Sequence, residues 1–395
     1  MIILSIETSC DETAISVVEA KGSAESPGFS ILGNACFSQI KIHKEYGGVY
    51  PNLAKREHQK NLVPLLIEVL KESKFFKLET KDEKLPTEIE KILEREPELL
   101  RQFKEFIPTI EKPPIDMIAV TVGPGLEPTL WVGVNFAKSL SRVWNIPIEP
   151  TNHMEGHIAS VLLNRSDESG IKNNESRINY PALALLISGG HTQLVLIEKP
   201  LKYKILGETR DDAAGEAYDK VARMLGLSYP GGPEISRLAK EDREKRQEAN
   251  VWRLPRPMIH TDDYDFSFSG LKTAVLYRLR DAKKITNSQK KEIAREFDDA
   301  VTEVLIRKTE RALRNYDIKT LIVAGGVAAN PNIRESFAAL KKPLSGLSVL
   351  FPTIKLSTDN SIMIAMAAFL RISSKQETVI PIAANGNLSF SNSAN

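Results

Sequence analysis

The strongest constraint on what this chain can fold into is that it states one structural plan twice. Residues 2–6 form an apolar run, break at Glu7-Thr8-Ser9-Cys10-Asp11-Glu12-Thr13 and resume as an apolar run at 14–18. Residues 182–187 do the same, breaking at Ser188-Gly189-Gly190-His191-Thr192 and resuming at 194–197. Short apolar runs on either side of a polar turn predict a β-hairpin. Each hairpin is followed by a third strand candidate, at 31–40 and at 203–206, and then by alternating helix and strand segments. In the first half these are 52–70, 117–122, 130–143 and a helix opening at His153; in the second they are 213–225, 290–314, 321–323, 332–340, 347–351 and 361–370. A repeat of this size predicts two similar α/β lobes.

Three strands followed by helix and strand in alternation, stated twice, is the duplicated βββαβαβα unit of the actin-like and sugar-kinase-like (ASKHA) nucleotide-binding fold, whose two lobes face a cleft. At 395 residues the chain is long enough for two cores. The polar stretch 164–177 has loop composition and is the expected joint, giving an N-terminal lobe at 1–170 and a C-terminal lobe at 171–395. Residues 71–112 do not fit the repeat. Dense in Lys and Glu, with apolar Ile89, Ile92, Leu93, Leu99, Leu100, Phe103 and Phe106, they predict an inserted amphipathic helix or helical pair. It either packs on the first lobe or docks a partner. After about 382 the chain turns small and polar, the composition of a loosely ordered tail.

Composition narrows the class further. Two cysteines, Cys10 and Cys36, argue for a reducing compartment and against a disulfide scaffold. The N-terminus lacks a basic region before its apolar run, so it reads as a first strand and not as a signal peptide, and the expected address is cytoplasmic. No apolar stretch reaches the roughly 18 residues of a membrane span. A net charge of +2 permits a nucleic-acid partner without demanding one.

The chemistry concentrates in a few motifs. His153-Met154-Glu155-Gly156-His157 places two imidazoles four residues apart, hence on one helical face, just after the strand-like 146–148. A zinc protease needs its glutamate directly after the first histidine; Met154 stands there, so the pair reads as a metal site of another kind. Two neutral imidazoles leave a divalent ion short of ligands and charge, and Asp359, in Ser357-Thr358-Asp359-Asn360 at the start of the last helix, is the candidate carboxylate from the other lobe. A helix cap is its plainer role. Glycine turns at Gly123-Pro124-Gly125, Ser188-Gly189-Gly190-His191 and Gly325-Gly326 allow backbone N–H groups to approach phosphate oxygens. Asp219, followed by Pro230-Gly231-Gly232-Pro233, suits a ribose contact, and Asn330 an amide contact. Glu7, Asp11 and Glu12 crowd the first hairpin turn, where a carboxylate raised by like-charged neighbours serves as a base.

With these residues assembled, the chain resembles the bacterial branch of the TsaD family, the tRNA N6-adenosine threonylcarbamoyltransferases formerly named O-sialoglycoprotein endopeptidases. The resemblance runs through ordered motifs over nearly the whole chain, including residues 6–13, Ala54-Lys55-Arg56-Glu57-His58, 153–157, 188–193, 211–217, 229–233, 266–272, 325–330 and 357–360. It implies His153, His157 and Asp359 as metal ligands, with iron(II) the expected ion and zinc(II) the alternative. It implies Ile187, Ser188, Gly189, Gly190, His191, Asp219, Gly232 and Asn330 as substrate contacts. It further implies transfer of the threonylcarbamoyl group from threonylcarbamoyl-AMP to N6 of adenosine 37 in tRNAs reading codons that begin with A. An inactive paralogue of the same fold (TsaB-like) and a small P-loop ATPase (TsaE-like) are the implied protein partners.

An exocyclic adenine amine is a weak nucleophile, so positioning should supply much of the rate, with Asp11 or Glu12 the candidate proton acceptor. The rival is a nucleotide-gated interaction protein of the actin or chaperone class, which has no need of the histidine pair and Asp359. No dense basic motif announces the tRNA surface; Arg253, Arg256 and Lys272 are the candidates.

Overall fold

A computed structural model describes residues 1–79, 85–163, 177–245, 252–282, 284–341, 344, 346–374 and 380–390. They form two compact units, one of residues 1–42, 49–163 and 359–395, the other of 43–48 and 164–358.

The first unit is built on a five-stranded sheet. Strands β1 (Ile2–Glu7), β2 (Glu12–Ser23) and β3 (Ser26–Ser38) run antiparallel in succession, and β4 (Met117–Gly123) and β5 (Ile148–Asn152) add in parallel on the other side of β1, giving the order β3-β2-β1-β4-β5. The second unit repeats this with β6 (Ala182–Ile187), β7 (Thr192–Lys199), β8 (Lys202–Glu208), β9 (Thr320–Ala324) and β10 (Ser348–Leu350), in the order β10-β9-β6-β7-β8. Read outward from the central strand the two orders are the same, so the duplication predicted from sequence is present in the topology and the fold is the two-unit ASKHA type. Glu7 ends β1 opposite Ala14, and Ile187 ends β6 opposite Thr192, so these two residues occupy equivalent positions. β1 and β6 read as nearly continuous apolar runs because each is the central strand of its sheet and is buried on both faces.

Two expectations need correction, and a third is met. The helix Ser361–Ser373 and Asp359 before it belong to the first unit, not to a C-terminal lobe. Ten of the thirteen residues of that helix are buried, and a helix apolar on all sides needs cover all round, which it finds against β1, β2 and β5 and the helix His153–Ala159. Residues 380–390 are not a loose tail: Asn385 N–H donates to the Val122 carbonyl (2.7 Å), and Ile380, Leu388 and Phe390 are buried. Segment 71–112 is a helical pair, Glu88–Ile92 and Pro97–Phe106, whose Ile89, Leu93, Leu99 and Phe103 join the first unit's core; Phe103 meets Phe136 edge to face at 6.1 Å. The expected joint at 164–177 lies, except for its last residue, outside the described residues. Two helices gave no sequence signal, Gly231–Lys245 and Ser269–Ala282, the first because it opens on a Gly-Gly-Pro run that reads as a turn.

Candidate active site

In the first unit, β5 ends at Asn152, whose Oδ1 accepts from Met154 N–H (2.8 Å) and caps the helix His153–Ala159. The helix thereby starts at His153, and His157 follows one turn on, with ring centroids 4.8 Å apart. Gly156 lies between them for a packing reason: a Cβ there would stand 3.0 Å from Met363 Cγ and 3.1 Å from Ile364 Cδ1. A larger residue here would push Met363 and Ile364 aside by a few tenths of an ångström. Glu155 is turned away from the histidine face and pairs with Arg371 (3.1 and 3.2 Å), which also reaches Glu149 (3.3 Å). The cap of the last helix is Asn360, whose Oδ1 accepts from Met363 N–H (3.0 Å). Asp359 is thus spared the capping role.

Asp359 Oδ1 lies 3.3 Å from Nε2 of His153 and 3.3 Å from Nε2 of His157. Two donors each about 2.1 Å from one ion stand about 3.0–3.4 Å apart in tetrahedral or octahedral coordination. Both His–Asp separations fall in that range, and the three donor atoms lie within 4.8 Å of one another, converging on one cation-sized position. His157 is fully buried and neither of its ring nitrogens has a hydrogen-bond partner; the 3.3 Å approach to Asp359 lacks hydrogen-bond geometry. An unpaired buried imidazole is costly unless a cation takes its lone pair. Charge points the same way, because two carboxylates, the buried Glu7 and the partly exposed Asp359, are matched by one divalent ion.

Glu7, grouped by sequence with Asp11 and Glu12, has a different office. Fully buried at the end of β1, it accepts from Ser9 N–H (2.5 Å), Thr121 Oγ1 (2.6 Å) and Nδ1 of His153 (3.0 Å). Nδ1 then carries the proton and Nε2 is left to face Asp359, the orienting role a carboxylate plays behind a ligating histidine. Burial alone would raise Glu7, but His153 beside it holds it below the usual range. Burial would lower His153, yet Asp359 and Glu7 hold it well above its ordinary value, while burial keeps His157 low. Burial also opposes the charge on Asp359, which His153 and His157 nevertheless hold far below the usual carboxylate range.

Asp11 and Glu12 sit on the same hairpin turn. Glu12 accepts from Ser38 Oγ (3.2 Å), and burial, then Asp11, push its carboxyl well above the ordinary range. The turn is buckled to the helix Pro51–Glu72 by His58, which contacts Thr13 Oγ1 (2.7 Å) and the Cys10 carbonyl (3.0 Å).

The glycine turns divide. Gly123-Pro124-Gly125 is covered by the chain's own 383–388 segment: Gly125 N–H donates to the Gly386 carbonyl (3.2 Å), and a Cβ on Gly123 would meet Asn385 O at 2.0 Å. It is no phosphate cradle. The turn after Ile187 is open. Ser188 N–H donates to His191 O (2.8 Å) and His191 N–H to Ser188 Oγ (3.1 Å), whereas the Gly189 and Gly190 N–H groups have no partner among the described residues, and a Cβ on either would meet nothing within 4 Å. The helix Ala214–Met224 points its N-terminus at this turn, with Gly215 N–H donating to Ser188 O (3.2 Å). Gly325, at φ +93°, packs on the Ile187 backbone. Two open N–H groups over a helix N-terminus have the geometry that anion binding requires.

The remaining residues expected to contact substrate are partly engaged. Asp219 Oδ1 accepts from Gly231 N–H (2.7 Å), which seats the open Gly232 at the head of Gly231–Lys245. Asn330 is held on both sides: Oδ1 caps Pro331–Ala339 through Asn332 N–H (2.9 Å), and Nδ2 donates to Asp298 (2.6 Å). Asp298, mid-way along Asn287–Asn315 and fully buried, also accepts from Tyr218 (2.7 Å), Arg243 (2.7 Å) and Asn332 (3.0 Å). Sequence reasoning passes over it because a lone Asp on a long polar helix reads as solvated. Of the tRNA candidates, Arg256 is tied to Glu296 (2.6 Å) and Glu303 (2.9 Å) and Lys272 to Asp212 (2.8 Å), leaving Arg253 exposed.

The family model of TsaD, tRNA N6-adenosine threonylcarbamoyltransferase, matches residues 30–81 and 98–366, and its gap falls in the helical insertion. The tRNA N6-adenosine threonylcarbamoyltransferase of Persephonella marina is 41% identical over 382 residues, covering 96% of this chain and 92% of that one. That of Ralstonia pickettii is 40% identical over 377 residues, covering 94% and 92%. The nucleotide-gated switch is therefore the less favoured reading, and the chain belongs to the TsaD family, whose members are transferases that build N6-threonylcarbamoyladenosine on tRNA.

Proposed function

We propose that this transferase draws its threonylcarbamoyl group from threonylcarbamoyl-AMP, and that its two units divide the work by charge. The observation that carries this reading is the pair of dissimilar turns at equivalent positions: a His-His-Asp triad with Glu7 behind it in one unit, and an open N–H nest in the other.

In the second unit, the Gly189 and Gly190 N–H groups and the start of Ala214–Met224 take the adenylate phosphate. They stabilise the charge that stays on AMP as the bond from carbonyl carbon to phosphate oxygen breaks. Asp219 and Gly232 accept the nucleoside. In the first unit, His153, His157 and Asp359 hold the divalent ion, iron(II) ahead of zinc(II), which when bound supplies Lewis-acid polarisation. Glu7 fixes the His153 tautomer. Glu12, or Asp11 beside it, takes the proton released as the adenosine 37 amine acquires its new carbon–nitrogen bond. A carboxyl pushed up by burial is a stronger base than an ordinary one. A TsaB-like paralogue and a TsaE-like ATPase assist, in the cytoplasm. No helix among the described residues is long and apolar enough to cross a membrane.

The test is to incubate the full chain with threonylcarbamoyl-AMP and unmodified tRNA, with and without the partner proteins, and to digest the tRNA for mass spectrometry. The modified nucleoside is expected with wild type and lost with Asp359→Ala. No product even with partners present rejects this donor assignment.

A further inference from the structure

Residues 272–291 carry seven Lys or Arg and one Asp, a net +6 in a chain whose net charge is +2, so the rest of the protein is acidic overall. The helix Ser269–Ala282 and the start of Asn287–Asn315 hold most of this charge. Several exposed arginines elsewhere are neutralised by nearby acids: Arg101 by Glu98 and Glu105, Arg237 by Glu234 and Glu241, Arg210 by Asp263 and Asp265. Arg278 and Lys284, both exposed, have no acidic partner among the described residues, and Arg280 has only the adjoining Asp281 at 3.3 Å. Only Leu271 and Val275 of this helix are buried. Leu276 and Tyr277 stand 47% and 52% exposed, and the Arg280 guanidinium lies 5.0 Å from the Tyr277 ring centre.

We infer that the exposed C-terminal end of Ser269–Ala282, with Tyr277, Arg278, Arg280 and the following Lys284, is a docking surface for tRNA. A cluster of cations with few acidic partners releases counterions from phosphates, and an exposed tyrosine backed by a guanidinium is a stacking platform for an unpaired base. An acidic protein would answer the charge but not the aromatic platform.

The helix is also fastened to the substrate turn. Asp211 accepts from Phe268 N–H (2.8 Å), Ser269 N–H (3.2 Å) and the hydroxyls of Ser267 and Ser269 (2.6 Å each), and Asp212 holds both Lys272 and Lys220 (2.8 Å each). Residues 211 and 212 lead directly into Ala214–Met224, the helix aimed at Ser188–His191. Tyr277 and Arg280 then lie roughly two to three helical turns from that anchor.

The inference rests on the transferase reading, and its test separates the two. tRNA affinity of the full chain is measured by fluorescence anisotropy from roughly 50 to 200 mM salt for wild type, R278E/R280E/K284E and Y277A. The charge variant should lose about tenfold or more in affinity, with a shallower salt dependence, and Y277A about three- to tenfold without a change in salt slope. Metal content and affinity for an adenylate should stay at wild-type values in both. Wild-type chain that does not bind tRNA, or variants that bind it with wild-type affinity and slope, overturn the surface even if the modified nucleoside is made. A charge variant that keeps tRNA affinity but loses binding to an accompanying acidic protein overturns it in favour of a protein interface.

Discussion

The ends of β1 and β6 are equivalent by strand order and register, yet the turns they lead into are opposite in chemistry. After Glu7 comes a turn of carboxylates fastened from within, backed by buried histidines. After Ile187 comes a turn of glycines with N–H groups left open. One suits a cation, the other an anion. A duplicated scaffold can keep its sheet while its turns diverge, because the strands are fixed by packing within the sheet and the turns are not. The glycine turns make the same point: Gly123-Pro124-Gly125 is consumed by chain packing and Ser188–His191 is not.

Several changes would break or sharpen this division. The largest effect belongs to His157→Ala, which removes a proposed ligand whose ring nitrogens have no hydrogen-bond partner among the described residues. Transfer should fall on the order of a thousandfold with adenylate affinity unaltered, checked by single-turnover kinetics beside equilibrium binding. Next is Arg371→Met, which strands Glu155 as an uncompensated buried charge between the metal helix and the last helix. A loss of about 3–5 kcal/mol in denaturant unfolding, with weakened metal binding, is expected; an unchanged midpoint would show that the pair does not hold the two helices together.

Glycine substitutions compare the two turns directly. Gly123→Ala meets Asn385 O at 2.0 Å, so it should cost about 1–3 kcal/mol of stability while sparing nucleotide affinity. Gly189→Val has space around it and should leave the melting temperature alone while weakening adenylate binding about tenfold, because its branched side chain crowds the anion approaching the retained N–H. The reverse pattern would mean the roles of the turns are exchanged.

The smallest effect is with pH. In metal-free protein His153 is held above its ordinary 6.5 against the opposing effect of burial, so its ion pairs stabilise fully below that value and the contribution is lost as pH rises through the raised one. Chelated protein should therefore lose thermal stability on the alkaline side of 6.5, whereas metal-loaded protein should not, and metal affinity should fall as pH drops because the proton competes for the ring.

The range of each interaction decides how much of this is legible in the sequence. Hairpin turns, the i, i+4 histidine pair and Asp359 announce themselves within a few residues. The office of Glu7 does not, since its partners His153 and Thr121 are 146 and 114 residues away. Gly156 reads as an interruption in a histidine motif until Met363 is packed against it. Asn330 carries the right amide but spends it on Asp298 and a helix cap, a competition that only tertiary structure decides. Sequence order suggests that the last helix continues the second unit, whereas its all-round apolar surface demands the first unit's sheet.

The most direct measurement is the metal content of wild type, His157→Ala, Asp359→Asn and Gly189→Val, purified side by side and checked for native unfolding profiles. The division of labour between the two turns predicts one divalent ion per chain in wild type and Gly189→Val and almost none in the other two. Full metal content in His157→Ala or Asp359→Asn would contradict it.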